Sequence, residues 1–79
     1  MKVATWIDGK SLRAARSLLG LNVHSVAKFS GLSATTIIRI EAGGPALVSS
    51  LNRLHRSYEI RGAIFRADGS VIIAARGDR

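Results

Sequence analysis

Residues 22–43 read NVHSVAKFSGLSATTIIRIEAG and predict two short helices that cross at a tight turn. Asn22 is a good N-cap, because its side-chain oxygen can accept a hydrogen bond from a free N–H of the first helical turn. Gly31 supplies the left-handed backbone that ends this helix. Ser33 then caps the next helix, so a start signal, a stop signal and a second start signal follow one another.

Apolar residues at helical spacing give both helices a buried face. Val26 and Ala27 face the core one turn into the first helix, and Ile37 and Ile40 face it from the second. The small side chain of Ala27 lets the two helix backbones approach closely where they cross. This is the arrangement of a helix-turn-helix, whose second helix enters the major groove of DNA. The segment therefore predicts DNA binding.

Two further helices are predicted, one on each side of this segment. The first begins at Asp8 or Ser11 and ends at Gly20. The last covers about residues 46–61, after the break at residues 43–45. Its predicted buried face consists of Leu47, Leu51, Leu54 and Tyr58.

The C-terminal part changes to a β pattern. Asp68 and Gly69 lie between two β-prone runs, which is a strong hairpin signal. Residues 71–73 are three consecutive apolar positions, so both faces of that strand need cover. One face can pack on the last helix. The other requires the N-terminal arm or the same strand of a second subunit, and we favour the second subunit.

The predicted fold is mainly α, a helix-turn-helix domain of four to five helices with a C-terminal β-hairpin. It forms a single domain with three parts: an N-terminal arm or short strand at residues 1–8, the DNA-binding helices at residues 9–62 and the hairpin, a dimerisation element, at residues 63–76. The predicted dimer interface comprises Ile64, Phe65, Val71, Ile72 and Ile73.

The charge of the chain indicates a polyanionic partner. Nine Arg and three Lys against five acidic residues give a net charge of +7. The planar guanidinium suits phosphate and guanine edges, so double-stranded DNA is the expected ligand. The N-terminal apolar run is shorter than a signal-peptide core, and no segment has transmembrane length. We therefore expect a cytoplasmic, nucleoid-associated protein that does not bind membranes.

The composition argues against catalysis and metal binding. The chain has no Cys, and His24 and His55 are far apart without a cluster of partners, so we expect neither a metal nor a cofactor. There is no paired-carboxylate, Cys/His or Ser/His/Asp arrangement and no glycine-rich loop between a strand and a helix. We therefore predict that the protein is not an enzyme.

The chain also resembles a known family over about residues 9–62. The positions that carry the resemblance are residues 12–21, 26–27, 30–33, 36–37 and 39–43. They resemble the Cro/phage-repressor (Xre-type) helix-turn-helix proteins. The resemblance implies a transcriptional regulator, a repressor or autoregulator, that binds an inverted-repeat operator as a homodimer.

The resemblance also implies roles for individual residues. In that family an Arg near the end of the first helix pairs with a Glu near the end of the recognition helix, and these are Arg16 and Glu41 here. Arg16 lies on an otherwise apolar stripe, where a cation needs a partner. The implied base-reading residues are Ala34, Thr35, Ile38 and Arg39, with Arg39 as the direct reader of guanine.

Phosphate contacts are expected from cations around the motif, from one hydroxyl and from the loop after the recognition helix. In the family, backbone N–H groups of that loop approach a phosphate, and two glycines leave them accessible here. The candidates are Lys10, Arg13, Lys28, Thr36, Arg53, Gly43 and Gly44.

Two residues depart from the family pattern. Val23 replaces a Gln whose amide meets a phosphate in many members, and Ile38 occupies a position that is usually polar. An exposed Ile in the readout helix packs against thymine methyls or anchors a protein. The alternative hypothesis is therefore a protein-interaction module with this fold, antiactivator- or antitoxin-like, that binds a regulatory protein.

Overall fold

The computed structural model describes residues 6–74, which form a helical domain with a small antiparallel sheet. The predicted class, mainly α with a C-terminal hairpin, is confirmed. Predictions for residues 1–5 of the arm and 75–76 of the hairpin lie outside the described residues. No helix within the described part of the chain has the length and apolar character needed to cross a membrane. The elements are α1 (Gly9–Leu18), α2 (Val23–Ser30), α3 (Ala34–Glu41), α4 (Val48–Ile60), β1 (Ala63–Phe65) and β2 (Val71–Ile73).

Side-chain caps fix where the first three helices begin. Asp8 accepts from the Ser11 N–H at 2.9 Å, and the Ser11 hydroxyl accepts from the Asp8 N–H at 2.9 Å. This reciprocal capping box starts α1. Asn22 accepts from the Ser25 N–H at 2.8 Å, and Ser33 caps α3 in the same way. The predicted caps of α2 and α3 are confirmed, and of the two candidates for the start of α1 the N-cap is Asp8.

A short turn joins α2 to α3. Gly31 adopts φ +80°, and its N–H donates to the Ala27 carbonyl at 3.1 Å, which closes α2. Only Leu32 and the cap Ser33 separate this glycine from α3. A side chain at φ +80° is strained, so Gly31 allows the chain to reverse within so few residues.

The core lies between the four helices and the inner face of the hairpin. The first strand packs against α4 and the second against α1, so the hairpin covers one side of the helical layer. Apolar side chains from every helix and from the segment before α1 meet there. The buried apolar residues are Ile7, Leu12, Ala15, Val26, Ile37, Ile40, Leu54, Tyr58 and Ala63.

The prediction for α4 was wrong at its N-terminal end. The helix begins at Val48, and Leu47 is the N-cap with extended dihedral angles and a 73% exposed surface. Because Leu47 precedes the first helical residue, it does not lie on the buried stripe. Ser50 and Ser57 are buried instead, alongside Leu54 and Tyr58, which were predicted correctly. Leu51 is half-buried against the core.

The hairpin forms around the predicted turn. Ala63 pairs with Ile73, and the Arg66 N–H donates to the Ser70 carbonyl at 2.9 Å across a three-residue loop. Gly69 adopts φ +88° in this loop, as such hairpins require. Of the residues predicted for a dimer interface, Phe65, Val71 and Ile73 pack against the chain's own core. Ile64 and Ile72 lie directly opposite each other and are exposed.

Candidate nucleic-acid interface

One face of α3 is buried and the opposite face is open. Ile37 and Ile40 anchor the helix in the core, whereas Thr35, Ile38, Arg39 and Ala42 are exposed. We call these four residues the α3 face. It contains three of the four predicted base-reading residues. The fourth, Ala34, lies in the first turn and is half-buried.

The ion pair between Arg16 and Glu41 joins the end of α1 to the end of α3. The guanidinium donates to the carboxylate through Nε at 2.7 Å and Nη2 at 2.8 Å, and through Nη1 to the Leu21 carbonyl at 3.1 Å. The two side chains are 19% and 8% exposed. The hydrogen bonding of the Arg16 guanidinium to the Glu41 carboxylate raises the pKa of Arg16. The expected pair is confirmed, and its two parallel hydrogen bonds set the orientation of α3 against α1.

Tyr58 lies behind this pair. It is fully buried, and its hydroxyl makes no hydrogen bond with any described residue. Burial raises the pKa of Tyr58, and the negative charge of Glu41 raises it further, against a smaller opposing effect of Arg16. The phenol is therefore held in its neutral form beneath the α3 face.

Arg39 is oriented by the loop that follows α3. Its Nε donates to the Pro45 carbonyl at 3.2 Å, and a Cβ added at Gly44 would lie 2.7 Å from its Cγ. Arg39 makes no other hydrogen bond within residues 6–74, so its Nη groups remain available to a ligand. This contact holds a cation at the open edge of the helix.

Two predicted phosphate-binding cations share one groove. Lys10 and Arg13 are exposed and border a groove of about 460 Å³ between the start of α1 and the end of α3. Its two acids are engaged elsewhere, because Asp8 caps α1 and Glu41 binds Arg16. We call this the Lys10 groove, lined by Asp8, Gly9, Lys10, Arg13, Glu41, Ala42 and Gly43.

The structure places the other side-chain candidates apart from this groove. Arg53 extends from α4 to the end of α2, where its Nη1 lies 3.4 Å from the Ser30 carbonyl. Lys28 is exposed in the last turn of α2. The Thr36 hydroxyl accepts from the Ser33 hydroxyl at 2.9 Å at the start of α3. None of these three side chains lines the Lys10 groove.

The expectation of free N–H groups at Gly43 and Gly44 was wrong. Gly43 donates to the Ile40 carbonyl at 3.0 Å, and Gly44 donates to the Arg39 carbonyl at 2.9 Å. Gly43 has φ +91°, so the two bonds form a Schellman motif that satisfies the last carbonyls of α3. Both donors are consumed in ending the helix, although Gly43 itself borders the Lys10 groove.

The two departures from the family pattern meet in one pocket. Val23 from the first turn of α2 and Ile38 from α3 line a pocket of about 280 Å³ beside α1. Each residue is unusual by itself in the sequence, but no local pattern indicates that they lie together. We call this the Ile38 pocket, lined by Arg13, Arg16, Val23, Ile38, Glu41 and Ala42.

Comparisons of the chain with protein-family models, with curated proteins and with solved structures return no match.

Proposed function

We propose that the chain is a sequence-specific DNA-binding transcriptional regulator, a repressor or autoregulator, that binds an inverted-repeat operator as a homodimer in the cytoplasm. The observation that carries this proposal is the open α3 face beside the Lys10 groove. A helix anchored on one side and exposed on the other, with cations along its edge, fits the major groove of DNA. The net charge of +7 and the resemblance to Cro/phage-repressor proteins favour the same function.

Base reading is assigned to the α3 face. Arg39 can donate two hydrogen bonds to guanine, a contact worth about 1–3 kcal/mol of discrimination against the wrong base. Thr35 can donate a hydrogen bond or present its methyl group, and Ile38 can contact a thymine methyl. The Nε contact of Arg39 with the Pro45 carbonyl limits the directions in which its guanidinium points.

Phosphate contacts are assigned to the Lys10 groove. Lys10 and Arg13 lie next to the α3 face, so they can neutralise the backbone beside the base pairs that α3 reads. Such contacts position the protein without selecting sequence. Their strength falls as salt rises, because bound counterions are released from the DNA.

The homodimer is assigned to the outer face of the hairpin. Ile64 and Ile72 are paired across the two strands and exposed at 44% and 38%. Burial of Ile64 and Ile72 against the same two residues of a second chain would join two domains that are related by a two-fold axis. Each α3 could then occupy one of two successive major grooves about 34 Å apart.

Selection of bound sequences from random duplex DNA tests the proposal. The full chain is incubated with the library near physiological salt, and the enriched duplex is titrated at several salt concentrations. We expect a two-fold symmetric motif and an affinity that falls steeply with added salt. Salt-sensitive binding without a motif, or no binding, would refute a sequence-specific operator reader.

A protein-interaction module is the second candidate, and the Ile38 pocket favours it. Two apolar side chains at the recognition surface suit a protein side chain better than a phosphate. Failure to bind any duplex, together with saturable binding to a protein, would favour this function over DNA binding.

A further inference from the structure

The Ile38 pocket offers two apolar walls to a partner. Its volume of about 280 Å³ lies just below the range of about 300–1,000 Å³ for small-molecule sites. Val23 and Ile38 supply apolar walls, and Ile38 keeps 57% of its surface exposed. An apolar side chain left open at a concave surface gains free energy when a partner covers it.

The rim of the pocket carries positive charge. Arg16 and Glu41 neutralise each other through their two hydrogen bonds. Arg13 is exposed and makes no ion pair with any residue from 6 to 74. Lys10 lies along the adjoining groove. A ligand with carboxylates beside an apolar group would therefore match both the walls and the rim.

We propose that the Ile38 pocket binds a bulky apolar side chain from an acidic protein segment, whose carboxylates pair with Arg13, and that this segment displaces DNA from the α3 face. Only the displacement rests on the proposed function, because binding of the segment requires no DNA. The partner would regulate the protein by occupying the surface with which it reads its operator.

A thymine methyl fits the pocket less well than a protein side chain does. A base edge in the major groove meets the exposed tip of Ile38, whereas the pocket extends past it to Val23 on α2 and Arg16 on α1. A single methyl carbon leaves most of that space unfilled. A leucine- or phenylalanine-sized group fills more of it, and a buried apolar anchor of this kind commonly dominates the affinity of a peptide interface.

The first experiment selects ligands from a phage-displayed library of random peptides, with the full chain as bait. We expect enrichment of peptides that carry a large apolar residue flanked by Asp or Glu. Enrichment of basic or uncharged peptides, or no enrichment, would overturn the proposal.

Matched variants then localise the site with the enriched peptide as a fluorescent probe. Ile38→Ser and Arg13→Ser should each lower the affinity for the peptide by about tenfold or more. Val23→Glu should do the same, because it places a carboxylate in the pocket; since Val23 also packs against the core, circular dichroism first checks that this variant folds. Ile60→Ser is the control, since Ile60 is apolar, 77% exposed and outside the pocket. Equal affinity for all four variants would overturn the assignment.

Competition with duplex DNA separates this inference from the proposed function. The enriched peptide should displace a DNA duplex selected by the wild-type protein, and added duplex should displace the peptide. Simultaneous binding of both would refute the displacement. Peptide binding by a chain that binds no DNA would refute the proposed function and leave the pocket assignment intact. If Ile38→Ser altered only the preference for a thymine and left peptide affinity unchanged, the pocket would be part of the DNA-binding surface and the proposal would be overturned.

Discussion

Apolar packing holds both the three helices α1–α3 and the C-terminal hairpin to the core, but the helices add polar contacts to it. Each of the three helices begins at a residue whose side chain accepts a backbone N–H, and the bidentate pair of Arg16 and Glu41 ties α1 to α3. The hairpin joins the core through the buried Ala63 and the half-buried Phe65, Val71 and Ile73. Its polar side-chain contacts, from Ser70 to Asp68, lie in the exposed turn.

The difference matches the tasks proposed for the two regions. Hydrogen bonds are directional, so the polar contacts of α1–α3 define one orientation of the α3 face. Apolar contacts tolerate small displacements, and the hairpin keeps a second apolar surface at Ile64 and Ile72. A reading surface requires a fixed orientation, whereas a self-association surface requires exposed apolar area.

The largest expected effect comes from breaking the pair that joins α1 to α3. Glu41→Ala leaves the Arg16 guanidinium unpaired at a largely buried site, and we expect it to lower the free energy of unfolding by about 3 kcal/mol. Urea denaturation followed by circular dichroism measures the change. Glu59→Ala is the control, because Glu59 is exposed and lies 3.3 Å from His55, and it should cost less than about 0.5 kcal/mol. Equal losses in the two variants would show that the pair contributes no special stability.

The close approach of α1 to α3 gives the next largest effect. A Cβ at Gly9 would collide with the Ile40 carbonyl, so Gly9→Ala must push the two helices apart and should cost about 2–3 kcal/mol. Gly20→Ala is the matched control, since Gly20 has φ +71° but open space around it. Its cost should be about 1 kcal/mol, from backbone strain alone. Urea denaturation compares the free energies of unfolding of the two variants. A larger loss of stability for Gly20→Ala would contradict the packing described for Gly9.

A smaller effect depends on pH. Tyr58 is the only tyrosine of the chain, so its absorbance reports its ionisation directly. Its pKa is raised in the folded state, chiefly by burial, so its contribution to stability is complete below about pH 10 and is lost as the pH rises above that value. Above that pH we expect the free energy of unfolding to fall by about 1.4 kcal/mol per pH unit. Tyr58→Phe should remove this pH dependence. At neutral pH, Tyr58→Phe should leave the free energy of unfolding almost unchanged, because the hydroxyl has no partner among the described residues. Identical alkaline profiles for both proteins would disprove the assignment.

The smallest effect on folding is expected at the outer face of the hairpin. The double variant Ile64→Ser, Ile72→Ser should change the stability of the monomer by less than about 0.5 kcal/mol, because both side chains are exposed. The double variant should nevertheless be a monomer, and sedimentation velocity measures its oligomeric state. Ile73→Ala on the inner face should instead lower stability by about 1 kcal/mol and leave the dimer in place. A dimer that survives the double variant would place the interface elsewhere.

Local signals predicted the helices well because caps depend on a few neighbouring residues. Asn22, Gly31 and Ser33 predicted both ends of α2 and the start of α3 directly, since each side chain or backbone conformation acts within one turn. Leu47 was misplaced because periodicity cannot distinguish a residue inside the first turn of a helix from its N-cap.

The candidate site could be predicted only in part. The exposed positions of α3 follow from helical spacing, and so does the need of Arg16 for a partner. The N–H groups of Gly43 and Gly44 could not be assigned, because their acceptors depend on how α3 ends. The Ile38 pocket escaped prediction because its walls come from α1, α2 and α3, and only their tertiary packing brings them together.

The most direct test of the central claim, that the α3 face reads DNA sequence, is the ratio of affinities for the selected operator and for random duplex. Arg39→Ala and Arg13→Ala are titrated beside the wild-type chain at one fixed salt concentration. We predict that Arg39→Ala lowers this ratio by about tenfold or more, whereas Arg13→Ala weakens both affinities together and preserves the ratio. An Arg39→Ala variant that kept the full ratio would contradict the assignment of base reading to this face.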